Sequence, residues 1–534
     1  MANDAFTIQM RELKDMISSL RQTISVLNTS LAEANAREKE HLEKERVLQE
    51  QIDYLTKKLF GRSSEKNIPV PGQMSLFDEI ESEAAVSEPE PELTIVKEHK
   101  RKSKATHDEI FKGIKTETVE IALSEEDQVC PECGSKLEVI GREYVRRELE
   151  FIPASLKIKE YYALTYACPE CNKFEDNEKA YITKAKVPEP LIPHSYATSS
   201  SVSWAAYQKF ANGMPPYRQE KDWMQYGVAM NRTTLANWLI FCAEEYYKPM
   251  YEFFHRRLVM REFLMADETR VQVLKEPDRA AETTSFMWLY RSGEDGLPVI
   301  ILYGYSPTRA GDNASEFLKG FKGYLETDGY QGYNKVPDVR HCSCWAHARR
   351  YLVDAIPKGK NLDYSIPAVQ GLEYCNRLFR IEDQINSGNP TPEKRKEERL
   401  KKEKPIIDAF FAWLDAQQPV VNSRMYKAKV YLKNRQDTLQ TYLEDGRCSF
   451  SNNLSENAIR PFTVGRKNWL FSDSVKGVNA SAIIYTIVEM AKAHDLNVYS
   501  YLKYLLDVRP GKTMTDEQLE QFAPWNPDVK KALE

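Results

Sequence analysis

The 534-residue chain reads as a multidomain α/β protein: a mixed-sheet core with a helical insertion, preceded by a coiled coil and a small four-cysteine zinc domain. Three observations carry this reading. A heptad pattern runs over residues 13–59, two matched CxxC knuckles follow, and short strand-like runs alternate with helical stretches from residue 256 onward. Apolar runs of both periods in one region are packed most economically as layers of helix on sheet.

Residues 13–59 carry apolar side chains at 4-3 spacing, with Leu13, Leu20 and Leu27 on one seam and Ile17, Ile24 and Leu31 on the other. That repeat predicts a coiled-coil arm over 1–60, through which the chain self-associates. Its middle is polar (Glu38, His41, Glu45), as a break or a register-fixing device would be. A helix packed on its own protein is the simpler alternative. Residues 61–105 are rich in Pro and Glu and read as a flexible linker.

The net charge of -5 and pI near 6.1 do not describe a uniformly basic nucleic-acid binder. Residues 78–92, however, hold seven acids and no base, and they offset basic surface elsewhere. No apolar run is long enough to span a membrane, so no membrane partner is expected. The segment MANDAFTIQMRELK has no basic and apolar signal pattern, and nine cysteines form no even framework. A reducing, cytoplasmic setting follows, in association with the nucleoid if DNA is the partner.

Cys130 and Cys133, then Cys168 and Cys171, form two CPEC knuckles 34 residues apart. Each knuckle offers two thiolates on one turn, and two turns complete a tetrahedral structural Zn2+ site. Gly134 and Asn172 follow the knuckles and tolerate the left-handed backbone such turns use. This predicts a zinc domain over 106–185. Cys342 and Cys344 are expected instead on a buried strand leading into a helix, although His341 and His347 stand beside them.

Residues 186–255 read as helical. PYRQEKDWMQYGVAMNRTTLANWL resembles a helix-turn-helix, with Gly227 at the turn and Thr233, Thr234 and Asn237 opening a recognition helix. The core then runs as FLMA, MWLY, VIILYGY, a helix near 313–322, and GYLET: three strands, a helix, a strand. A helical insertion over 350–445 contains EKRKEERLKKEK, a solvated helix face. The core resumes over 446–495 with a buried helix in SAIIYTIVEMAKAH, and 496–534 form a helical tail.

Three acids stand out against this frame. Asp267 ends an apolar run, Asp328 ends another, and Glu456 lies at a helix start, NNLSENAIRP. Each has an ordinary explanation: a solvated strand end, an Asp-Gly turn, and a capping box with Asn453 as N-cap. If the first and fourth core strands lie side by side, Asp267 and Asp328 face each other, and a helix carrying Glu456 can cross the same edge. That is a ribonuclease-H-like arrangement. Carboxylates so gathered hold two divalent ions suited to phosphoryl transfer.

FGRSSEK after the heptads, MSLFDE, CPECG, ADET, ETDGY, CWAHARR and SENAIRPFTVGRKNWLF together resemble the insertion-sequence-66 family of transposases, from about residue 20 to residue 510. The resemblance implies a DDE transposase with a ribonuclease-H-like catalytic core and Asp267, Asp328 and Glu456 as catalytic, metal-holding acids. It implies two Mg2+ (or Mn2+) ions, cleavage at terminal inverted repeats, strand transfer into target DNA, and small accessory proteins of the same element as partners. His347, Arg349 and Arg350, and Arg460, Arg466 and Lys467, are candidates for DNA phosphates, with surface ion pairing as the alternative. Trp469 is expected in the core. Two other function classes stay open at this point: a non-catalytic zinc-containing DNA-binding regulator, and a structure-selective nuclease that cuts without joining.

Overall fold

A computed structural model describes residues 156–167, 182–357 and 363–533. The expected coiled coil, the linker and the four knuckle cysteines, Cys130, Cys133, Cys168 and Cys171, lie outside the described residues. Two short strands, β1 (Thr165–Ala167) and β2 (Ile182–Lys184), pair antiparallel.

Helices then follow as expected. α1 (Ser199–Phe210) opens with a reciprocal capping box between Thr198 and Ser201. α2 (Pro216–Gln225) opens on a proline in its first position, where the missing N–H costs nothing. Gly227, at φ +80°, turns the chain into α3 (Arg232–Cys242), whose N-cap Asn231 accepts from the Thr233 N–H at 2.7 Å. α3 continues through a π-turn, Ala243–Tyr247, into α4 (Lys248–Val259).

The central sheet comprises β3 (Phe263–Lys275), β4 (Thr284–Ser292), β5 (Ile301–Ser306), β6 (Tyr324–Thr327), β7 (Arg340–Ser343) and β8 (Ser472–Ser474). Its order is β5-β4-β3-β6-β7, with β8 also on β3. β3, β4 and β5 pair antiparallel, whereas β3–β6, β6–β7 and β3–β8 are parallel. The first and fourth core strands are therefore neighbours. Two details differ from the sequence reading. β3 does not stop after Asp267, because Thr269, Val271 and Val273 are buried between exposed or half-buried neighbours, the alternation of a one-sided strand. The helix after β5 is α5 (Gly311–Phe317), shorter than 313–322, and Gly320 at φ +91° turns the chain toward β6.

Between β7 and the return to the sheet lie α6 (Trp345–Ala355), α7 (Pro367–Asn386), α8 (Pro392–Lys402), α9 (Lys404–Ala416) and α10 (Arg424–Lys433). They enclose a second core, with Trp345, Leu378, Phe410, Leu414 and Tyr442 fully buried. Cys342 is on β7 and Cys344 caps α6, both buried, as expected. α11 (Asn453–Trp469) then leads through β8 into α12 (Val475–Ala493), the buried helix foreseen, whose Thr486 accepts from the Tyr303 N–H of β5 at 2.9 Å. α13 (Val498–Val508), α14 (Asp516–Glu520) and α15 (Pro527–Leu533) complete the chain.

The charge run on α8 is largely solvated, but Arg399 is buried. It pairs with Glu382 in a bidentate bridge and donates to the carbonyls of Tyr442 (3.2 Å) and Cys448 (2.9 Å), tying α7 and α8 to the returning chain. Beside it, burial and the Glu382 carboxylate push the Glu403 carboxyl up to about 8 from 4.5. The folded state keeps a proton that the unfolded chain releases, so this contribution is full below pH 4.5 and is lost as pH rises through about 8. Glu403→Gln is expected to raise stability near pH 8 by about 1–3 kcal/mol and to flatten the pH dependence between those limits. Thermal melts across pH check this, and a lower melting temperature for the variant at pH 8 would contradict it.

Candidate active site

β4 covers one edge of β3 from Leu264 to Gln272. On the other edge, β6 pairs only Phe263–Met265 and β8 only Val273 and Lys275. Residues 266–272 therefore meet no strand on that side, and the start of α11 enters the gap. Asn452, fully buried, donates its side-chain Nδ2 to the Ala266 carbonyl at 3.0 Å and its backbone N–H to the Cys344 Sγ at 3.1 Å. The helix carrying Glu456 is thus pinned to the residue before Asp267.

That pin decides against the capping box. Asn452, not Asn453, is the N-cap, and it makes no side-chain cap bond because its amide is engaged with β3. Glu456 falls in the fourth helical position, one residue beyond where a capping-box acid stands. The Asp-Gly turn, by contrast, is real: Asp328 Oδ1 accepts from the Tyr330 N–H at 2.7 Å, and Gly329 sits at φ +88°. Turn and acid coexist, since a carboxylate has acceptor capacity beyond one such bond.

The three acids share one field. Burial pushes the Asp267 carboxyl well above its ordinary range, and the charges of Glu268, Asp328 and Glu456 push it further. Its Oδ1 accepts the Glu268 N–H at 2.8 Å. Glu268 itself is buried and held by Arg309 and by the Tyr333 hydroxyl at 2.5 Å. From α6, His347 Nδ1 lies 3.6 Å from Glu456 Oε1, and Arg350 lies 3.8 Å from Oε2. Burial, then Arg350, lowers the His347 imidazole to about 4, so it is neutral at physiological pH. Cys344, His347 and Glu456 bring ligand-capable atoms within 4.8 Å of one another. That set is one sulfur, one nitrogen and one carboxylate oxygen, and Asp267 and Asp328 stand outside it; what joins them to Glu456 is the repulsion of like charges felt at Asp267.

A family model described as the IS66 transposase family matches residues 194–480, which include all three acids. The chain belongs to the IS66 transposase family. Further models match residues 127–172, as the zinc-finger binding domain of transposase IS66, and residues 47–109, as "Transposase C of IS166 homeodomain". Among related proteins of Sinorhizobium fredii, y4qI is 27% identical over 65% of this chain and 65% of its own length. Another, y4jD, is 27% identical over 76% of this chain and 80% of its own, and y4hP is 25% identical over 90% and 88%. The zinc-finger match covers Cys130, Cys133, Cys168 and Cys171. Among the described residues, no helix is long and apolar enough to cross a membrane.

The remaining candidates of this IS66-family chain divide. Of the α6 cluster, His347 and Arg350 face Glu456, whereas Arg349 turns toward the helical insertion, its Nε donating to Asn376 Oδ1 on α7 at 2.9 Å. Arg460 and Lys467 are exposed on α11 and Arg466 is half-buried. Trp469 packs edge-on against Phe462 at 5.3 Å, in keeping with a core residue. At the start of α3, Thr233 and Asn237 are exposed and Thr234 is half-buried.

Sequence reasoning missed Asn452, Tyr431 and Arg435. The tandem Asn of NNLSEN was a usable signal for the first. Tyr431 and Arg435 carried none, being about a hundred residues from the turn they hold. The Tyr431 hydroxyl donates to the Asp328 carbonyl at 2.7 Å, and the Arg435 guanidinium donates to the Gly329 carbonyl. The insertion thereby fixes the backbone on which Asp328 stands. A Cβ at Gly329 would lie 2.1 Å from Arg435 Nε on a positive-φ backbone. Gly329→Ala is therefore expected to cost about 1–3 kcal/mol and to displace Arg435. A denaturant melt with an unchanged midpoint would contradict this.

Proposed function

We propose that this chain is a DDE transposase with a ribonuclease-H-like core, and that Asp267, Asp328 and Glu456 hold two Mg2+ or Mn2+ ions at a scissile DNA phosphate. The observation that carries the reading is the shared field at Asp267, to which acids from β3, the end of β6 and α11 all contribute. The chemistry of the acids suits such ions, although the ligand atoms that lie within 4.8 Å of one another are those of Cys344, His347 and Glu456. Three carboxylates supply hard oxygen ligands, and their mutual repulsion is relieved by divalent charge. When bound, divalent metal supplies Lewis-acid stabilisation of the charge developing on the attacking and leaving oxygens.

The chain's own residues do the rest. Glu268 stays fixed by Arg309 and Tyr333, which anchors the middle of β3 beside Asp267. His347 and Arg350 stand 3.6 and 3.8 Å from the Glu456 carboxylate and would offer donors to a phosphate approaching it. Arg460, Arg466 and Lys467 give α11 a cationic path for the DNA backbone, and Arg349 anchors the insertion. Thr233, Thr234 and Asn237, exposed or half-exposed at the start of α3 behind the Gly227 turn, support a helix-turn-helix that reads the terminal inverted repeats. The four knuckle cysteines would order a zinc domain and the heptad arm would pair two copies, with small accessory proteins of the element as further partners.

The test is cleavage and joining of labelled duplexes bearing the element's own ends, with Mg2+ or Mn2+ and a target DNA. Metal-dependent joined products are expected. Cleavage without joining would make the protein a nuclease, and end binding without either step would make it a regulator.

A further inference from the structure

The exposed face of α11 runs away from Glu456 through Asn457, Arg460, Val464 and Lys467. Glu456 is the single acid on this helix, against Arg460, Arg466 and Lys467, and Arg460 and Lys467 lie on its exposed face. The face ends on two large apolar side chains, Leu470 (62% exposed) and Phe471 (44% exposed). Trp469, the last residue of the helix, turns inward and packs edge-on against Phe462.

The backbone there is strained. Leu470 has φ +61° and ψ -48°, and the Phe471 N–H donates back to the Trp469 carbonyl at 2.8 Å. This is a γ-turn of the strained, positive-φ form, which a branched side chain rarely occupies. Such a conformation persists only where its surroundings impose it. Here α11 precedes it, and β8, paired to β3, begins at the next residue. Asn468, two residues before the turn, accepts from Arg218 of α2 at 3.3 Å, so the tip stands beside the helix-turn-helix region. Other large apolar side chains are exposed on this chain, but these two are adjacent and follow a cation-bearing helix face.

We propose that Leu470 and Phe471 form an apolar wedge that enters a base step of the DNA held along α11. The identity of that DNA as the element's end rests on the transposase reading. The wedge itself rests on exposure, strain and charge. Apolar side chains inserted at a base step unstack it and kink the duplex, and adjacent cations hold the flanking phosphates. Fourteen residues separate Glu456 from Leu470, about 21 Å of helix at 1.5 Å per residue, or about six base pairs of duplex. The unstacked step is therefore expected about six base pairs from the scissile phosphate.

The experiment uses the full chain and end duplexes carrying 2-aminopurine at one position at a time. Wild type is expected to give a severalfold fluorescence rise at one or two adjacent positions. Leu470→Ala/Phe471→Ala should lose that rise while weakening duplex binding by at most about tenfold. Leu470→Gly, which removes the strain, should melt at a higher temperature than wild type yet give a reduced signal. Binding by wild type without a fluorescence rise at any position would overturn the wedge and leave the transposase reading standing. Retention of the rise in the double variant, or a changed oligomeric state with an unchanged rise, would assign the patch elsewhere. Absence of duplex binding by wild type would overturn both readings.

Discussion

Glu456→Gln is expected to leave the protein folded and bound to end DNA while reducing metal-dependent cleavage and joining on the order of 10³-fold. Asp328→Ala should behave alike in chemistry. Asp267→Asn should do so with a second signature in stability. In the folded chain Asp267 holds its proton more tightly than the unfolded chain does, because of burial and then its acidic neighbours. Its stabilising contribution is full below the ordinary value of 3.8 and is lost as pH rises through the raised value. At neutral pH and without divalent metal, Asp267→Asn should therefore melt higher than wild type, by about 1–3 kcal/mol of added stability. Adding Mn2+ should narrow or reverse that order, because binding to the folded state stabilises wild type and much less the variant. Melts in chelator and in Mn2+, run beside the joining assay, measure both effects. An Asp267→Asn protein that melts lower in chelator, or still joins DNA, would remove this acid from the site.

Asn452→Ala is expected to have the second-largest effect. Its backbone N–H to Cys344 survives the substitution, but the bond from Nδ2 to the Ala266 carbonyl does not, and a buried carbonyl loses its partner. The cost should be about 1–3 kcal/mol of stability. The functional loss should be larger than that figure alone conveys, because the lost bond sets where Glu456 stands relative to Asp267. Positioning groups behind metal ligands typically contribute about 10–100-fold in metal affinity. The Mn2+ midpoint for cleavage should therefore rise by that factor, with activity partly recovered at high Mn2+. A purely structural role would lower the melting temperature without moving the midpoint in the surviving folded protein. Asn452→Gln, which keeps the amide but overfills a buried space, should recover neither fully.

Much of this was legible in the chain. FLMA, MWLY, VIILYGY and GYLET declare themselves as strands because short apolar runs bounded by turn signals are local, and each is buried nearly continuously in the sheet; a hairpin followed by a helical return brings the first and fourth strands together. The acids could be nominated but not separated from their ordinary alternatives, since a turn acid and a site acid look alike in sequence. Asp328 holds its turn and also adds its charge to the field at Asp267, whereas the capping box at Glu456 fails because Asn452 is drawn to β3. Arg349 and Arg350 are adjacent and alike, yet one faces the insertion and the other Glu456. Helical rotation of about 100° per residue separates them, and only packing says which way each points.

By itself, then, the sequence determined the mixed strand order, the helical blocks, the family and the three acids worth testing. These rest on local periodicity and short motifs, which are written in consecutive residues. Only the tertiary structure decided that Asn452 and Cys344 pin α11 across the gap in β3, that Tyr431 and Arg435 reach back from the insertion to hold Asp328, and that Leu470 and Phe471 are held outward. Those relations join groups that are distant in the chain or depend on which side of an element faces the core. Their energies arise from contacts formed only after the elements have packed, so no local pattern records them.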